Sequence, residues 1–235
     1  MKKTILTTLM ASIWLLSMQA QRFEIGVTGG GTKYIGDIGN EYYFIPNEIG
    51  YGGVFKMNHN PWYSYRLGFI YTPIKANDAY ALSQGRQQRK FSFDGTVYEL
   101  SLGIEYNFIK NNIYKRHKGN HIIPYMFSGI TGTKYSSQLV KGGSIVSASN
   151  NYSVGIPMVL GIKFYVSGNF LIAIESGARF NLTDNLDGTF NYVKANQDQH
   201  YFSKVNSNMQ HPDWYTFSSI SLIYTFGDLD CYFGL

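Results

Sequence analysis

The chain has 235 residues, a formal net charge of +5, 15% charged residues, one cysteine, 20 tyrosines and 16 phenylalanines. Beyond the N-terminus no stretch approaches the ~18 apolar residues that a spanning helix needs, and a lone cysteine leaves no internal disulfide to hold a fold. A mean hydropathy of −0.17 is still compatible with a membrane, because only alternate residues of a barrel strand face lipid.

Lys2 and Lys3 precede an apolar run from Ile5 to Leu16 and then Ser17-Met18-Gln19-Ala20, the charged, apolar and small-residue parts of an export signal. Residues 1–20 are read as that signal, cut between Ala20 and Gln21. About 215 residues remain, one domain's worth, with a charge of about +3.

From Gln21 onward the chain alternates large apolar with small or charged residues. Eight strands are predicted, at about Arg22 to Gly29, Glu48 to Met57, Tyr63 to Lys75, Thr96 to Phe108, His121 to Tyr135, Tyr152 to Val166, Asn169 to Thr183 and Trp214 to Phe226. In the fourth, Tyr98, Leu100, Leu102, Ile104, Tyr106 and Phe108 share one face, and Glu99, Ser101, Gly103, Glu105 and Asn107 the other. One face suits lipid and the other a small polar lumen. The expected fold is an all-β, eight-stranded antiparallel transmembrane outer-membrane β-barrel over residues 21–226, with a tail at 227–235.

Connection lengths orient it. Long links cover Gly30 to Asn47, Ala76 to Gly95, Ser136 to Asn151 and Asp184 to Asp213; Asn58 to Trp62 and Ser167-Gly168 are short, and Ile109 to Asn120 is intermediate. Such barrels have short periplasmic turns and long external loops, which places both termini in the periplasm. Trp62, Tyr63, Tyr106, Phe108, Phe164, Phe170, Tyr224 and Phe226 would form the periplasmic aromatic belt, and Tyr71, Tyr135, Phe180, Trp214 and Tyr215 the outer one. Lys56, Arg66, Glu99, Glu105, Lys163, Glu175 and Arg179 fall on inward positions, where opposite charges must pair. Eight strands leave an interior filled by side chains.

No catalytic signature is present: no phosphate-binding loop, no HExxH, no G-x-S-x-G. Asp184-Asn185-Leu186-Asp187-Gly188 lacks the further ligands of a calcium loop and is read as a solvated external turn. His117 and His121 lie among lysines and arginines that would repel a metal, so neither metal nor cofactor is expected. The segment from Lys110 to His121 carries Lys110, Lys115, Arg116 and Lys118 with no acid. Such a basic turn suits an acidic protein face, and nucleic acid is not expected in that compartment. The tail Gly227 to Leu235 is apolar, with Tyr232 and Phe233 beside Cys231, and reads as a docking peptide. In an oxidising periplasm Cys231 leaves two readings, an intermolecular disulfide and a free thiol.

Several segments resemble one family: Gly30-Gly31-Thr32-Lys33-Tyr34-Ile35-Gly36-Asp37-Ile38-Gly39, Pro46-Asn47-Glu48 running into Gly52-Gly53, Tyr63-Ser64-Tyr65-Arg66-Leu67, Arg86-Gln87-Gln88-Arg89 with Phe91-Ser92-Phe93, and Glu99 to Phe108. They are similar to the PorG family, the outer-membrane barrel component of the type IX secretion system. The resemblance implies a non-enzymatic barrel that binds the periplasmic ring of PorK and PorN and is not the conduit. The partners expected are therefore outer-membrane lipids and that ring, met through Lys110, Lys115, Arg116, Lys118, Cys231, Tyr232 and Phe233. The competing expectation is a surface adhesin or small-ligand barrel acting through its external loops.

Overall fold

The computed structural model describes residues 22–36, 38–39, 45–111, 122–167, 169–182, 186–187, 189 and 213–227. Eight strands form one closed antiparallel barrel in chain order: β1 (Arg22–Ile35), β2 (Glu48–Asn58), β3 (Tyr63–Asn77), β4 (Phe91–Asn107), β5 (Ile123–Lys141), β6 (Ser144–Ser167), β7 (Phe170–Asn181) and β8 (Trp214–Phe226). Closure is made by β1 on β8, from Phe23 opposite Phe226 to Ile35 opposite Trp214, so neither strand is left as an edge.

The period-two pattern decides which face goes where. On β3 burial alternates residue by residue from Ser64 to Asn77, and on β4 Leu100, Leu102, Ile104 and Tyr106 are all 43–63% exposed while Glu99 and Glu105 are buried. Ile25, Val27, Ile130, Val154, Met158, Leu160, Ile174, Ile220 and Leu222 continue this apolar wall around the barrel. A water-soluble protein does not expose so large a contiguous apolar band, whereas a lipid-embedded barrel requires one. Aromatic rows bound the band. At the short-turn end Phe23 stacks between Phe55 and Phe226 at 5.8 Å each, and Phe170 meets Tyr224 at 5.1 Å. At the long-loop end Tyr51, Tyr71 and Tyr98 pair in register at 5.1 and 5.0 Å, and Phe180 stacks on Trp214 at 5.5 Å.

Two residues assigned to the outer belt face the other way. Tyr135 is 2% and Tyr215 0% exposed, both inside the barrel. Trp214 and Tyr215 are consecutive, so only one of them can face lipid, and the register gives that place to Trp214. Tyr135 follows the inward phase of Thr131 and Thr133 on the same strand.

Several strands run past their expected ends. A spanning strand needs about 9–11 residues, yet β6 has 24 and β5 has 19. The expected loop from Ser136 to Asn151 is instead a continuous hairpin, closed by Gly142 and Gly143 at φ +58° and +92°. Two consecutive positive φ values make the tight turn whose twist matches the strands, and glycine adopts them without a Cβ penalty. β1 likewise continues through Ile35, and the link after β3 holds a 3₁₀ turn (Asp78–Tyr80) and a short helix α1 (Gln84–Arg89) before β4 starts at Phe91. At the opposite end, the β2–β3 turn is fixed by Asn60, whose Oδ1 accepts from the N–H groups of Trp62 and Tyr63 at 2.8 and 2.9 Å.

Candidate functional site

The lumen is crossed by side chains that join opposite walls. β3 and β7 are diametrically opposed in an eight-strand ring, and Arg66 on β3 reaches Glu175 on β7 with a two-pronged contact, 2.7 and 2.9 Å. Such forked guanidinium–carboxylate pairs are the strongest ion pairs by geometry. The Tyr125 hydroxyl donates to the same carboxylate, and the Arg66 guanidinium lies 4.6 Å from the Phe127 ring centroid.

A second crossbar passes through Glu105 on β4. Lys56 from β2 and Lys163 from β6 each approach it at 2.7 Å, and Arg66 adds a contact at 3.4 Å. Glu24 stands 3.9 Å from Lys56 and accepts a hydrogen bond from Asn58 at 2.9 Å. A third bar joins β8 to β4, where the Tyr215 hydroxyl donates to Glu99 and Arg179 lies 3.6 Å from the same carboxylate.

Glu24, Glu99, Glu105 and Glu175 thus face Lys56, Arg66, Lys163 and Arg179, four charges of each sign, all buried. That balance matters because an isolated buried charge costs several kcal/mol. Ring faces flank the cations: Lys56 and Lys163 lie 5.1 and 5.0 Å from Tyr125, and Arg179 5.4 Å from Phe217. The first two bars share the Arg66–Glu105 contact, and with the third they tie the described lumen from wall to wall.

Both ends of the barrel carry contacts beyond the crossbars. At the long-loop end an apolar cluster of Tyr34, Ile38, Ile74, Phe91, Phe93, Val97, Tyr135, Leu139, Leu186 and Tyr215 fills the interior. Over it the Tyr34 hydroxyl lies 3.0 Å from Asp187 and 2.6 Å from Asp213. Asp213 also accepts from the Leu186 N–H at 2.9 Å, and Asp187 accepts from the N–H and hydroxyl of Thr189 at 2.9 and 2.6 Å. Burial pushes the Asp187 carboxyl above the usual aspartate range, against the pull of these hydrogen bonds. Leu186 and Asp187 are both fully buried, which corrects the expectation of a solvated turn. The apolar cluster needs a cover, and Leu186 supplies it. A parallel clasp joins Asp78 to Arg89 at 2.7 Å and to the Gly39 N–H at 3.0 Å, while Arg86 donates to the Gly39 carbonyl at 3.1 Å.

At the short-turn end, the last residue of β4 and the segment after it fold back on the β2–β3 turn. Asn107 and Asn111 donate their N–H groups to the carbonyls of Trp62 and Pro61 at 2.6 and 3.0 Å, and the Tyr165 hydroxyl donates to Asn111 at 2.9 Å. Lys110 is exposed on this rim, its ammonium 5.8 Å from the Trp62 ring. Lys115, Arg116, Lys118, Cys231, Tyr232 and Phe233 lie outside the described residues. The sequence reading missed the acid pair on Tyr34, the Asp78–Arg89 clasp and the place of Glu24. Only Glu24 had a readable signal, the outward phase of Phe23, Ile25 and Val27 on either side of it. Among the described residues no group of three or more His, Cys, Asp or Glu is arranged to hold a metal.

A closed barrel with a lipid-facing wall, two aromatic rows and a neutralised, filled lumen defines an integral outer-membrane-type β-barrel. Within that class, residues 3–234 match the model described as Domain of unknown function (DUF6089), and the chain belongs to this family. No curated protein matches it. Among solved structures it is similar to a major outer membrane protein from Thermus thermophilus, with 16% identity over 88% of this chain and 100% of that one and a TM-score of 0.49. It is also similar to Neisserial surface protein A, at 14% identity, 87% and 97% coverage and a TM-score of 0.47. Ail of Yersinia pestis, solved with a heparin analogue, stands at 14% identity, 89% and 100% coverage and a TM-score of 0.42.

Proposed function

We propose that this chain is a non-enzymatic outer-membrane component of the type IX secretion system that anchors or positions the periplasmic PorK/PorN ring. The observation that supports this reading is the crossbarred lumen: a barrel whose interior is spanned by buried ion pairs acts through its rims. Residues 30–39, 86–89 and 99–108 supply the family resemblance. The short turns and both termini face the periplasm, and the long loops face outward. The ring is met by the basic rim of Lys110, Lys115, Arg116 and Lys118 and by the tail of Cys231, Tyr232 and Phe233, with Cys231 available for an intermolecular disulfide.

Two variants test this, deletion of residues 227–235 and the charge reversal Lys115→Glu/Arg116→Glu/Lys118→Glu. Ring subunits should co-purify with the wild-type barrel and be lost, together with secretion, in each variant that still inserts. Unchanged co-purification and secretion in both variants, with altered binding to external surfaces on changing the long loops, would transfer the function to those loops. A nonreducing gel of outer membranes comparing wild type with Cys231→Ser should show a higher-mass band that the substitution removes if the disulfide forms.

A further inference from the structure

The outer wall changes character at one level of the β4–β5–β6 face. The last aromatic row there reads Tyr98, Lys134, Tyr152 in register, continuing from Tyr51 and Tyr71. Lys134 is exposed and places its ammonium 5.8 Å from the Tyr152 ring centroid, and no carboxylate lies within ion-pair distance of it among the described residues. A lone cation on a lipid-facing wall is tolerated at headgroup depth, where its stem lies along apolar surface and its charge reaches the phosphates.

One outward step toward the loops the row becomes Thr96, Ser136, Asn150, with the two hydroxyls 3.1 Å apart. These residues line a groove of about 520 Å³ that continues up to Gln138, Asp94 and Lys75. The Asp94 carboxylate at its upper end lies 3.7 Å from Lys75, which also holds Glu48 at 3.5 Å. Lys134 stands one row below this groove, two residues before Ser136 on the same outward face, and the groove itself carries neutral hydroxyl and amide groups beneath the Lys75–Asp94 pair. Neutral donors and acceptors above a single cation match a sugar that bears a phosphate at its membrane end.

We infer that this groove seats the headgroup of a phosphorylated glycolipid from the adjoining leaflet, with Lys134 on the phosphate and Thr96, Ser136 and Asn150 on the sugar. The groove is continuous with the lipid-facing wall, so a lipid reaches it by lateral diffusion with its acyl chains on Tyr98 and Leu100. On the orientation proposed above, that leaflet is the external one.

The test uses the full chain in phosphatidylcholine nanodiscs doped with a bis-phosphorylated glucosamine-disaccharide lipid, its dephosphorylated form, or phosphatidylglycerol, with bound lipid read by native mass spectrometry. The phosphorylated glycolipid should be retained about tenfold over the other two, Lys134→Ala should lose that preference, and Lys134→Arg should keep it. Equal retention of the dephosphorylated lipid, equal retention of phosphatidylglycerol, or an unchanged Lys134→Ala each overturns the assignment. Ring co-purification, read on the same variants, is expected to be unaffected. Its loss in wild type would overturn the secretion reading and leave the lipid site standing. Labelling of Cys231→Ser/Gly143→Cys from outside intact cells checks the orientation independently.

Discussion

Arg66 and Glu175 make a pair whose two halves should not behave as independent residues. Removing one leaves the other buried and uncompensated, so Arg66→Met and Glu175→Gln are each expected to destabilise the barrel by about 3–5 kcal/mol, and the double variant by less than their sum. Urea unfolding in liposomes measures this, and single variants within about 1 kcal/mol of wild type would mean the fork carries no net energy. Asp187 gives a pH dependence with a definite sign. Its folded carboxyl holds a proton more tightly than the unfolded one, so its contribution is most favourable below the ordinary aspartate value of 3.8 and is lost as pH rises through its elevated folded value. Asp187→Asn should remove that part of the decline, seen as a narrowing gap between variant and wild-type stability curves toward acid pH. An unchanged pH profile in the variant would place the titration elsewhere.

Strand faces were legible because lipid and lumen impose opposite chemistry on alternate residues; strand ends were not, because above the tyrosine row the outward positions turn polar. Ser136 and Gln138 point out and Leu139 points in, so the hairpin keeps its strand geometry while losing the apolar-outside pattern that marks a spanning strand. The phase of adjacent aromatics such as Trp214-Tyr215 was equally hidden, since either can face lipid until pairing fixes the register. The loop contacts, Tyr34 on Asp187 and Asp213, join residues more than 150 positions apart with no periodicity to announce them. The same boundary predicts an asymmetry in substitution. Leu102→Arg, midway between Tyr98 and Tyr106, should cost about 2–4 kcal/mol, and Gln138→Arg, above the row, about 0–1 kcal/mol. Equal costs in a folding titration would remove the lipid boundary from this level. Gly143→Val, forced to a positive φ, should cost about 1–2 kcal/mol locally. It is expected to raise protease nicking of the hairpin while the barrel keeps its heat-modifiable mobility on a gel.

At the scale of the whole molecule, the crossbars predict electrical silence. Purified wild type in a planar bilayer should show no steady conductance, and a stable open level would contradict a filled lumen. The lumen charges were readable in the chain, but the span of each bar from wall to wall required the closed ring to set β3 against β7 and β4 against β8. Those bars also have a mechanical meaning. Backbone hydrogen bonds tie each strand only to its neighbours, so an empty eight-strand cylinder can ovalise by bending at every seam. Here the flattening of one diameter must lengthen another that is held by a buried ion pair. The wall therefore behaves as a braced strut, and a load applied at one rim is passed to the other with little taken up by deformation between them.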